Sequence, residues 1–285
     1  MAQKLISENG RAKALFDDAS EILGYDLSEI CSKGPPELLN STDVSQPAIF
    51  VTSMAAQECS LPTAHRVLGV HSFAMGLSLG EYSALCFAQS FSFEDGVRLT
   101  KIRGEAMQAA SALSPSGMVA VLGLERNGVS DLINSVNAEI GEEQIFIGNF
   151  LSPVNFTLSG TVEGCKLVKR RGKSHGAKLV RQLPVSGAFH TRFMAPARAA
   201  LKVALSKIDV KPPAIPVLSN VTGVPHSKCP DSIRENLLKQ LTEPVLWYDN
   251  LKYVFPTELP QLEVFAFEVG PGSVCTDLMK KYSEG

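Results

Sequence analysis

A serine between two glycines is the first feature of this sequence that could do chemistry. The stretch F-A-M-G-L-S-L-G-E-Y-S-A-L, residues 73–85, places Ser78 between Gly76 and Gly80 in G-x-S-x-G spacing. Such glycines let a sharp strand-to-helix turn close, which exposes the hydroxyl and aims the backbone N–H of Leu79 at a developing oxyanion. The alternative is a serine that merely begins a helix, because this spacing also arises by chance. The apolar segments on both sides favour the nucleophile.

A serine hydroxyl needs a neighbouring base before it can attack a carbonyl carbon, and histidine is the residue expected to supply it. His190, in S-G-A-F-H-T-R-F-M, follows a predicted strand and so lies on a loop that a base could occupy. His71 is closer in sequence, but the intervening strand would carry it to the wrong end of the turn. A structural or merely exposed histidine is the alternative. No aspartate has an obvious third position, so a carbonyl or amide is expected to orient the imidazole.

Arg103 is the candidate for binding an anion. It lies in K-I-R-G-E-A-M-Q, within a helical pattern that otherwise indicates a half-buried helix. The planar guanidinium matches the two oxygens of a carboxylate. The alternative is a surface arginine paired with Glu105 or Glu94, and these residues alone favour it.

The elements that would position these side chains alternate between strand and helix. Apolar spacing predicts helices at 11–23, 46–58 and 80–87 and a further helix from Phe93, while a short apolar strand at 67–75 leads into the serine turn. From residue 117 the order of elements becomes βαββαβ, which is the arrangement of a ferredoxin-like unit.

Within that unit the predicted elements are strand 118–122, helix 127–139, strands 145–150 and 156–160, helix 162–175 and strand 179–185. Alternating strands and helices resume afterwards, with a helix at 231–241 and an apolar stretch at 265–272. The sequence therefore predicts an α/β chain, in which a small ferredoxin-like domain at 117–186 is inserted into a large domain made of 1–116 and 187–285.

The composition excludes several classes of protein. A net charge of −2 does not favour nucleic-acid binding, and no apolar run is long enough to cross a bilayer. The six cysteines lack C-x-x-C pairs, which fits reduced thiols, and the dispersed histidines predict no metal site. The N-terminal residues resemble neither a signal peptide nor a transit segment, so either none existed or one was removed.

Six motifs occur in one order along the chain: G-L-S-L-G-E-Y-S-A-L, R-G-E-A-M-Q, G-A-F-H-T-R-F-M, S-N-V, Q-L-T-E-P-V-L-W and E-V-G-P-G. Together they resemble the malonyl-CoA:acyl carrier protein transacylases of type II fatty acid synthesis, and the resemblance runs from about residue 11 to 281. The resemblance implies a hydrolase-like α/β large domain with a central, mostly parallel sheet and an inserted ferredoxin-like small domain, in agreement with the pattern of elements.

The resemblance also implies a set of catalytic residues. Ser78 resembles the nucleophile, His190 the base, and Arg103 the residue that holds the malonyl carboxylate. Gln240 resembles the residue whose carbonyl orients the histidine, and Leu79 the donor of one oxyanion-hole amide.

Three further positions resemble residues around the substrate. Gln46 and Asn220 resemble family positions that line the site, with a helix-start glutamine and a turn asparagine as the alternatives. Phe189 completes the A-F-H signature seen where malonyl is preferred over methylmalonyl. A bulky ring beside the acyl α-carbon would give partial selectivity, since a methyl group is worth about 1–3 kcal/mol.

The implied reaction is ping-pong transfer through a malonyl-Ser78 ester to the phosphopantetheine thiol of acyl carrier protein. The expected partners are malonyl-CoA and acyl carrier protein, and the protein is expected to be a monomer. No cofactor, metal, nucleic acid or membrane is expected to bind. The run 166–181 carries seven Lys and Arg residues and no acid. It could guide an acidic carrier protein, or it could be an ordinary solvated helix face.

Two departures from the family pattern leave other interpretations open. Leu77 stands where the family commonly has histidine, which is typical of plant-type members and predicts the plastid stroma in a plant or alga, or otherwise the cytoplasm. The family's opening loop, F-P-G-Q-G-(S/A)-Q, supplies a second oxyanion amide and does not occur in the printed sequence. The alternatives are therefore a serine thioesterase or esterase, and a carrier-protein-binding relative with impaired catalysis.

Overall fold

The computed structural model describes residues 2–64, 72–141, 144–256 and 265–283. The strand predicted at 67–75 therefore lies mostly outside the described residues, as do His65 and His71. The helices in the described ranges are α1 Gln3–Glu8, α2 Gly10–Leu23, α3 Leu27–Lys33, α4 Pro36–Leu39, α5 Thr42–Ala64, α6 Leu79–Phe87, α7 Phe93–Leu113, α8 Arg126–Ile140, α9 Val162–Arg171, α10 Ala197–Ser206, α11 Pro230–Gln240, α12 Trp247–Val254 and α13 Val274–Ser283. The strands are β1 Ser116–Leu122, β2 Ile145–Ser152, β3 Asn155–Thr161 and β4 Leu179–Gln182.

Helices α5 and α7 pack against each other at the centre of the large helical layer, which α2 and α10 cover. Two glycines of α7 allow the close approach. A Cβ added to Gly96 would lie 2.2 Å from the ring of Phe50, and one added to Gly104 would lie 2.7 Å from the carbonyl oxygen of Thr42. Because atoms cannot approach so closely, glycine at both positions sets the spacing of the two helices.

Local sequence signals set the ends of the helices that frame the site. The Asn9 side chain accepts hydrogen bonds from two amides at the start of α2, and Gly24 ends that helix in the left-handed conformation. Ser92 caps α7 by accepting from the backbone N–H of Asp95. These caps fix where α7 begins and hence which of its residues face the interior.

The four strands form one antiparallel sheet in the order β2-β3-β1-β4. That order, with α8 between β1 and β2 and α9 between β3 and β4, is the ferredoxin-like arrangement. In β1, Val119 and Val121 are buried in an apolar cluster with residues of both helices. Alternation along the strand turns Met118 to the opposite face of the sheet.

The parallel sheet expected in the large domain is represented, in the ranges described here, by one parallel bridge between Ala74 and Val217. The leading strand predicted for it falls largely within 65–71, which the structure does not describe. The stretch 265–272, predicted to continue the α/β alternation, contains no assigned strand, and Phe265 is 72% exposed. Of the helices described, none is long and apolar enough to span a membrane.

Candidate active site

Ser78 lies on a sharp turn immediately before helix α6, with φ 53° and ψ −102°. A non-glycine residue with positive φ is strained by about 1–3 kcal/mol, and such strain collects at functional sites. A Cβ on Gly76 would lie 2.0 Å from the carbonyl carbon of Gly80, so the turn requires glycine at 76. Gly80 has no neighbouring atom within 4 Å of its own Cβ position. The expectation that both glycines are needed to avoid clashes is therefore wrong for Gly80.

Asn220 supports this turn from beneath. Its side-chain oxygen accepts from the backbone N–H of Ser78 at 2.7 Å, and its amide donates to the carbonyl of Gly76 at 2.8 Å. Asn220 is fully buried and is not among the residues that line the cleft. The structure thus places it as a support of the turn instead of the cleft-lining position predicted for it, because both ends of its amide are occupied by backbone.

Arg103 lies on the inner face of α7 and is 1% exposed. Its Nη2 donates to Ser78 Oγ and to Gln240 Oε1, both at 3.0 Å, and its Nη1 donates to Gln46 Oε1 at 2.6 Å. The guanidinium also lies over the ring of Tyr82, 5.3 Å from its centroid. The alternative of a surface ion pair is wrong, since the partners of Arg103 are neutral oxygens beside the serine.

His190 is 4% exposed and has a φ of 62°, so the predicted base shares the backbone strain of the predicted nucleophile. Its Nδ1 donates to the backbone carbonyl of Gln240 at 2.7 Å. A carbonyl can only accept, so the proton sits on Nδ1 and Nε2 keeps the lone pair a base needs. Burial, with a further contribution from the charge of Arg103, lowers the pKa of His190 to about 4, which keeps the imidazole neutral near pH 7.

A cleft of about 540 Å³ brings these groups together. Its walls come from α5, α7, the serine turn, the segment before His190 and the antiparallel sheet. Of the predicted site residues, it is lined by Gln46, Ser78, Leu79, Arg103, Phe189 and His190. Phe189 is half-buried at the wall. Although Ser78 and His190 share the cleft, no hydrogen bond joins them among the described residues; the serine hydroxyl is held by Arg103 instead.

Two further predicted residues, Gln240 and Leu79, contribute to the site through a buried side chain or through backbone groups. Gln240 is fully buried at the end of α11, where its Nε2 also donates to the Ser78 carbonyl at 2.9 Å. The Leu79 N–H is the first of helix α6, and a helix N-terminus carries partial positive charge that favours an oxyanion. The contact of the Gln240 carbonyl with His190 Nδ1 is present, and the oxyanion role of Leu79 stays a prediction.

Met107, Met118 and Asn149 are among the lining residues that the sequence patterns missed. Asn149 was detectable, because it is a polar residue within the otherwise apolar strand I-F-I-G-N-F. The two methionines carried no such signal, since apolar residues on a helix and a strand are ordinarily assigned to the core. No cluster of side chains suited to a metal ion occurs within the part of the chain that the structure describes.

The chain is similar in sequence to known proteins over most of its length. Residues 1–275 match the family described as acyl transferase domain. The chain is 35% identical over 277 residues to the mitochondrial malonyl-CoA-acyl carrier protein transacylase of Mus musculus, covering 95% of this chain and 72% of that protein. It is 38% identical over 263 residues to the polyketide biosynthesis protein ThaF of Burkholderia thailandensis, covering 92% of this chain but only 21% of that longer protein.

Solved structures are similar over nearly all of the chain. The malonyl CoA-acyl carrier protein transacylase of Coxiella burnetii superposes with a TM-score of 0.89 at 31% identity, covering 100% of this chain and 86% of that one. A malonyl-transacylase solved with its type II polyketide acyl carrier protein gives 0.88 at 32% identity, covering 100% and 88%. These neighbours confirm the α/β fold class predicted from the sequence.

Proposed function

Because this chain belongs to the acyl transferase family, among the malonyl-CoA:acyl carrier protein transacylases, we propose that it transfers malonyl groups from CoA to the phosphopantetheine thiol of acyl carrier protein in fatty acid synthesis. Membership confirms the predicted enzyme class, an acyltransferase. The observation that carries the proposal for these residues is the 3.0 Å hydrogen bond between Arg103 Nη2 and Ser78 Oγ. This contact supports the proposal because an acyl group on the serine would lie close to the positive charge of Arg103.

In the first half-reaction, Ser78 Oγ attacks the thioester carbonyl of malonyl-CoA and His190 Nε2 takes the hydroxyl proton. The Leu79 N–H stabilises the oxyanion of the tetrahedral intermediate. The C–S bond then breaks, and the proton held by His190 passes to the departing sulfur of CoA. The product is a malonyl ester on Ser78.

In the second half-reaction, the thiol of phosphopantetheine attacks that ester. His190 accepts the thiol proton and returns it to Ser78 Oγ as the C–O bond breaks. The Gln240 carbonyl keeps the imidazole in the required tautomer throughout, because it accepts from Nδ1 at 2.7 Å. No cofactor is needed for either step, and none is proposed.

Arg103 selects the substrate in this scheme. When Ser78 turns toward the thioester it releases Arg103 Nη2, which then donates to the free carboxylate of the malonyl group. Gln46 keeps the guanidinium in plane by accepting from Nη1. Acetyl-CoA lacks the carboxylate and so loses this interaction. Phe189 limits the room beside the acyl α-carbon, which is the proposed basis for partial discrimination against methylmalonyl.

The basic run 166–181 supplies a candidate docking surface for the carrier protein. Arg170 and Arg171 are already paired with Glu139. Lys169, Lys173, Lys178 and Arg181 are exposed, and none of the four forms an ion pair within the described residues. We therefore assign the attraction of an acidic carrier protein to these four residues, which predicts that salt slows the second half-reaction more than the first.

The test uses intact-mass spectrometry of the purified chain after incubation with malonyl-CoA. One added malonyl group, mapped to the Ser78 peptide, absent in Ser78→Ala and strongly reduced in Arg103→Ala, is the expected result. Arg98→Ala is the matched control, because Arg98 lies on the same helix but is 54% exposed and pairs with Asp95. Absence of an adduct in the folded wild-type protein would refute the proposal.

The second half-reaction separates the transferase from a hydrolase. With acyl carrier protein added, the malonyl group should move to the carrier, and release of free malonate should remain slow. Rapid release of malonate would favour the thioesterase alternative. Carrier binding without any adduct would favour the non-catalytic relative. The plastid location and the monomeric state stay predictions.

A further inference from the structure

Glu81 and His226 form a fully buried pair that the proposed mechanism does not use. Glu81 lies in the first turn of α6, three residues after Ser78, and its Oε1 is 2.6 Å from His226 Nε2. Both side chains are 0% exposed. Removing a carboxylate from water is costly, and replacing such a pair by apolar residues is often neutral or stabilising. Stability alone therefore does not account for its presence.

The second carboxylate oxygen of Glu81 faces the active site. Oε2 accepts a hydrogen bond from Gln240 Nε2, which also donates to the Ser78 carbonyl at 2.9 Å. On the other side of the same amide, Gln240 Oε1 accepts from Arg103 Nη2 at 3.0 Å. Gln240 is thus the link between the buried pair and the substrate-selecting arginine.

The donor and acceptor types on the two sides fix the direction of the Gln240 amide. A carboxylate only accepts hydrogen bonds and a guanidinium only donates them. Glu81 therefore holds the amide nitrogen on its side, and the amide oxygen must face Arg103. If the amide turned over, its nitrogen would meet the guanidinium donors and Arg103 Nη2 would lose an acceptor.

His226 fixes Glu81 from behind. The backbone N–H of His226 donates to Val217 at 2.8 Å, in the segment that pairs with Ala74 just before the serine turn. The Asn236 amide nitrogen lies 3.4 Å from His226 Nδ1, so Nδ1 accepts and Nε2 carries the proton toward Glu81. The imidazole consequently holds the carboxylate at a fixed distance from the turn.

We propose that Glu81 and His226 are positioning residues, which orient the Gln240 amide so that Arg103 presents its guanidinium to the malonyl carboxylate. This inference rests on the proposed function, because it assigns a task to that same site. Neither residue lines the cleft. Their effect should therefore be seen in the preference for a carboxylated acyl group and not in transfer of an uncharged one.

The first test replaces the pair by apolar residues of similar size, Glu81→Met with His226→Leu, which should fold. The readout is kcat/KM for acylation by malonyl-CoA divided by that by acetyl-CoA. We expect this ratio to fall about tenfold or more, the size of one lost hydrogen bond to a charged group, with acetyl-CoA changing less than about threefold. A folded double variant with the wild-type ratio, or with equal losses for both substrates, would overturn the inference.

A second variant keeps the test decisive if the double variant does not fold. Glu81→Gln keeps the shape and one acceptor but removes the charge, so the ratio should fall about threefold. An unchanged ratio in Glu81→Gln overturns the inference. Glu94→Gln, an exposed glutamate at the start of α7, is the control and should match wild type. If wild type itself is not acylated by malonyl-CoA, the proposed function fails, which is a different result from an acylated wild type with unaffected variants.

Discussion

Acid should destabilise this protein through His190. The side chain is 4% exposed, and burial, aided by the charge of Arg103, lowers its pKa from 6.5 to about 4. In the unfolded chain the same imidazole takes up a proton near its ordinary pKa. The folded state therefore binds fewer protons than the unfolded state between these two values. The stability that His190 contributes is fully present above pH 6.5 and is lost as the pH falls toward 4.

The size of the effect follows from the two pKa values. With 6.5 in the unfolded and about 4 in the folded state, the loss between pH 7.5 and pH 5 is about 2 kcal/mol, and it approaches about 3.4 kcal/mol well below pH 4. Glutamine at 190 does not titrate. His190→Gln should therefore lack this part of the acid dependence, while all other groups contribute equally to both proteins.

The assay is equilibrium unfolding in urea at pH 7.5 and at pH 5, with wild type and His190→Gln in parallel. The wild type should lose about 2 kcal/mol more free energy of unfolding than the variant between the two pH values. The m-values should agree, so that midpoints can be compared directly. Equal losses in the two proteins would show that His190 titrates normally in the fold and would refute the argument from burial.

Four further substitutions test the geometry of the site. Gly76→Ala should lower the free energy of unfolding in urea by more than about 3 kcal/mol, because its Cβ would lie 2.0 Å from backbone. Gly80→Ala should instead raise the free energy of unfolding by about 0.5–1 kcal/mol. Equal effects of the two substitutions would contradict the assignment of Gly76 as the required glycine. Arg103→Lys keeps the charge but not the planar fork, and kcat/KM for malonyl-CoA should fall about a hundredfold in an acylation assay. Wild-type activity would show that charge alone selects the substrate. Asn220→Ala leaves the Ser78 N–H and the Gly76 carbonyl without their partner, and calorimetry should detect a loss of about 2–4 kcal/mol. A neutral result would mean that the turn holds its shape unaided.

Local patterns predicted most of the elements that hold the site. The helices expected at 11–23 and 127–139 are observed at Gly10–Leu23 and Arg126–Ile140, because caps and apolar spacing act within a few residues. The predicted ends of the helices were less accurate. The helix expected to reach His175 ends at Arg171.

Six helices, α1, α3, α4, α10, α12 and α13, were not predicted. The parallel pairing expected within the large domain reduces, in the described residues, to the Ala74–Val217 bridge. The bridging residues are 143 positions apart in sequence, taking 217 minus 74. Pairing over such distances depends on tertiary packing, which a local pattern does not encode.

The partners of Arg103 could not be predicted from the residues next to it in sequence. Its nearest charged residues in sequence suggested a surface ion pair. Its actual acceptors, Gln46, Ser78 and Gln240, are 57, 25 and 137 residues away. Only the order of the six motifs brought these positions together before the structure did. The support given by Asn220 and the pair of Glu81 with His226 had no counterpart in any spacing.

The hydrogen-bond partners of Arg103 have a consequence for how the cleft interacts with dissolved ions. A hydroxyl and two amides accept the guanidinium protons, but none of them cancels the positive charge. The Glu81 carboxylate reaches Arg103 only through the Gln240 amide, so we expect the resting cleft to attract small anions from the buffer. We expect these anions to compete with the malonyl carboxylate, so that added salt raises the KM for malonyl-CoA. The substrate's own carboxylate would then bring a negative charge into direct contact with the guanidinium once in each turnover.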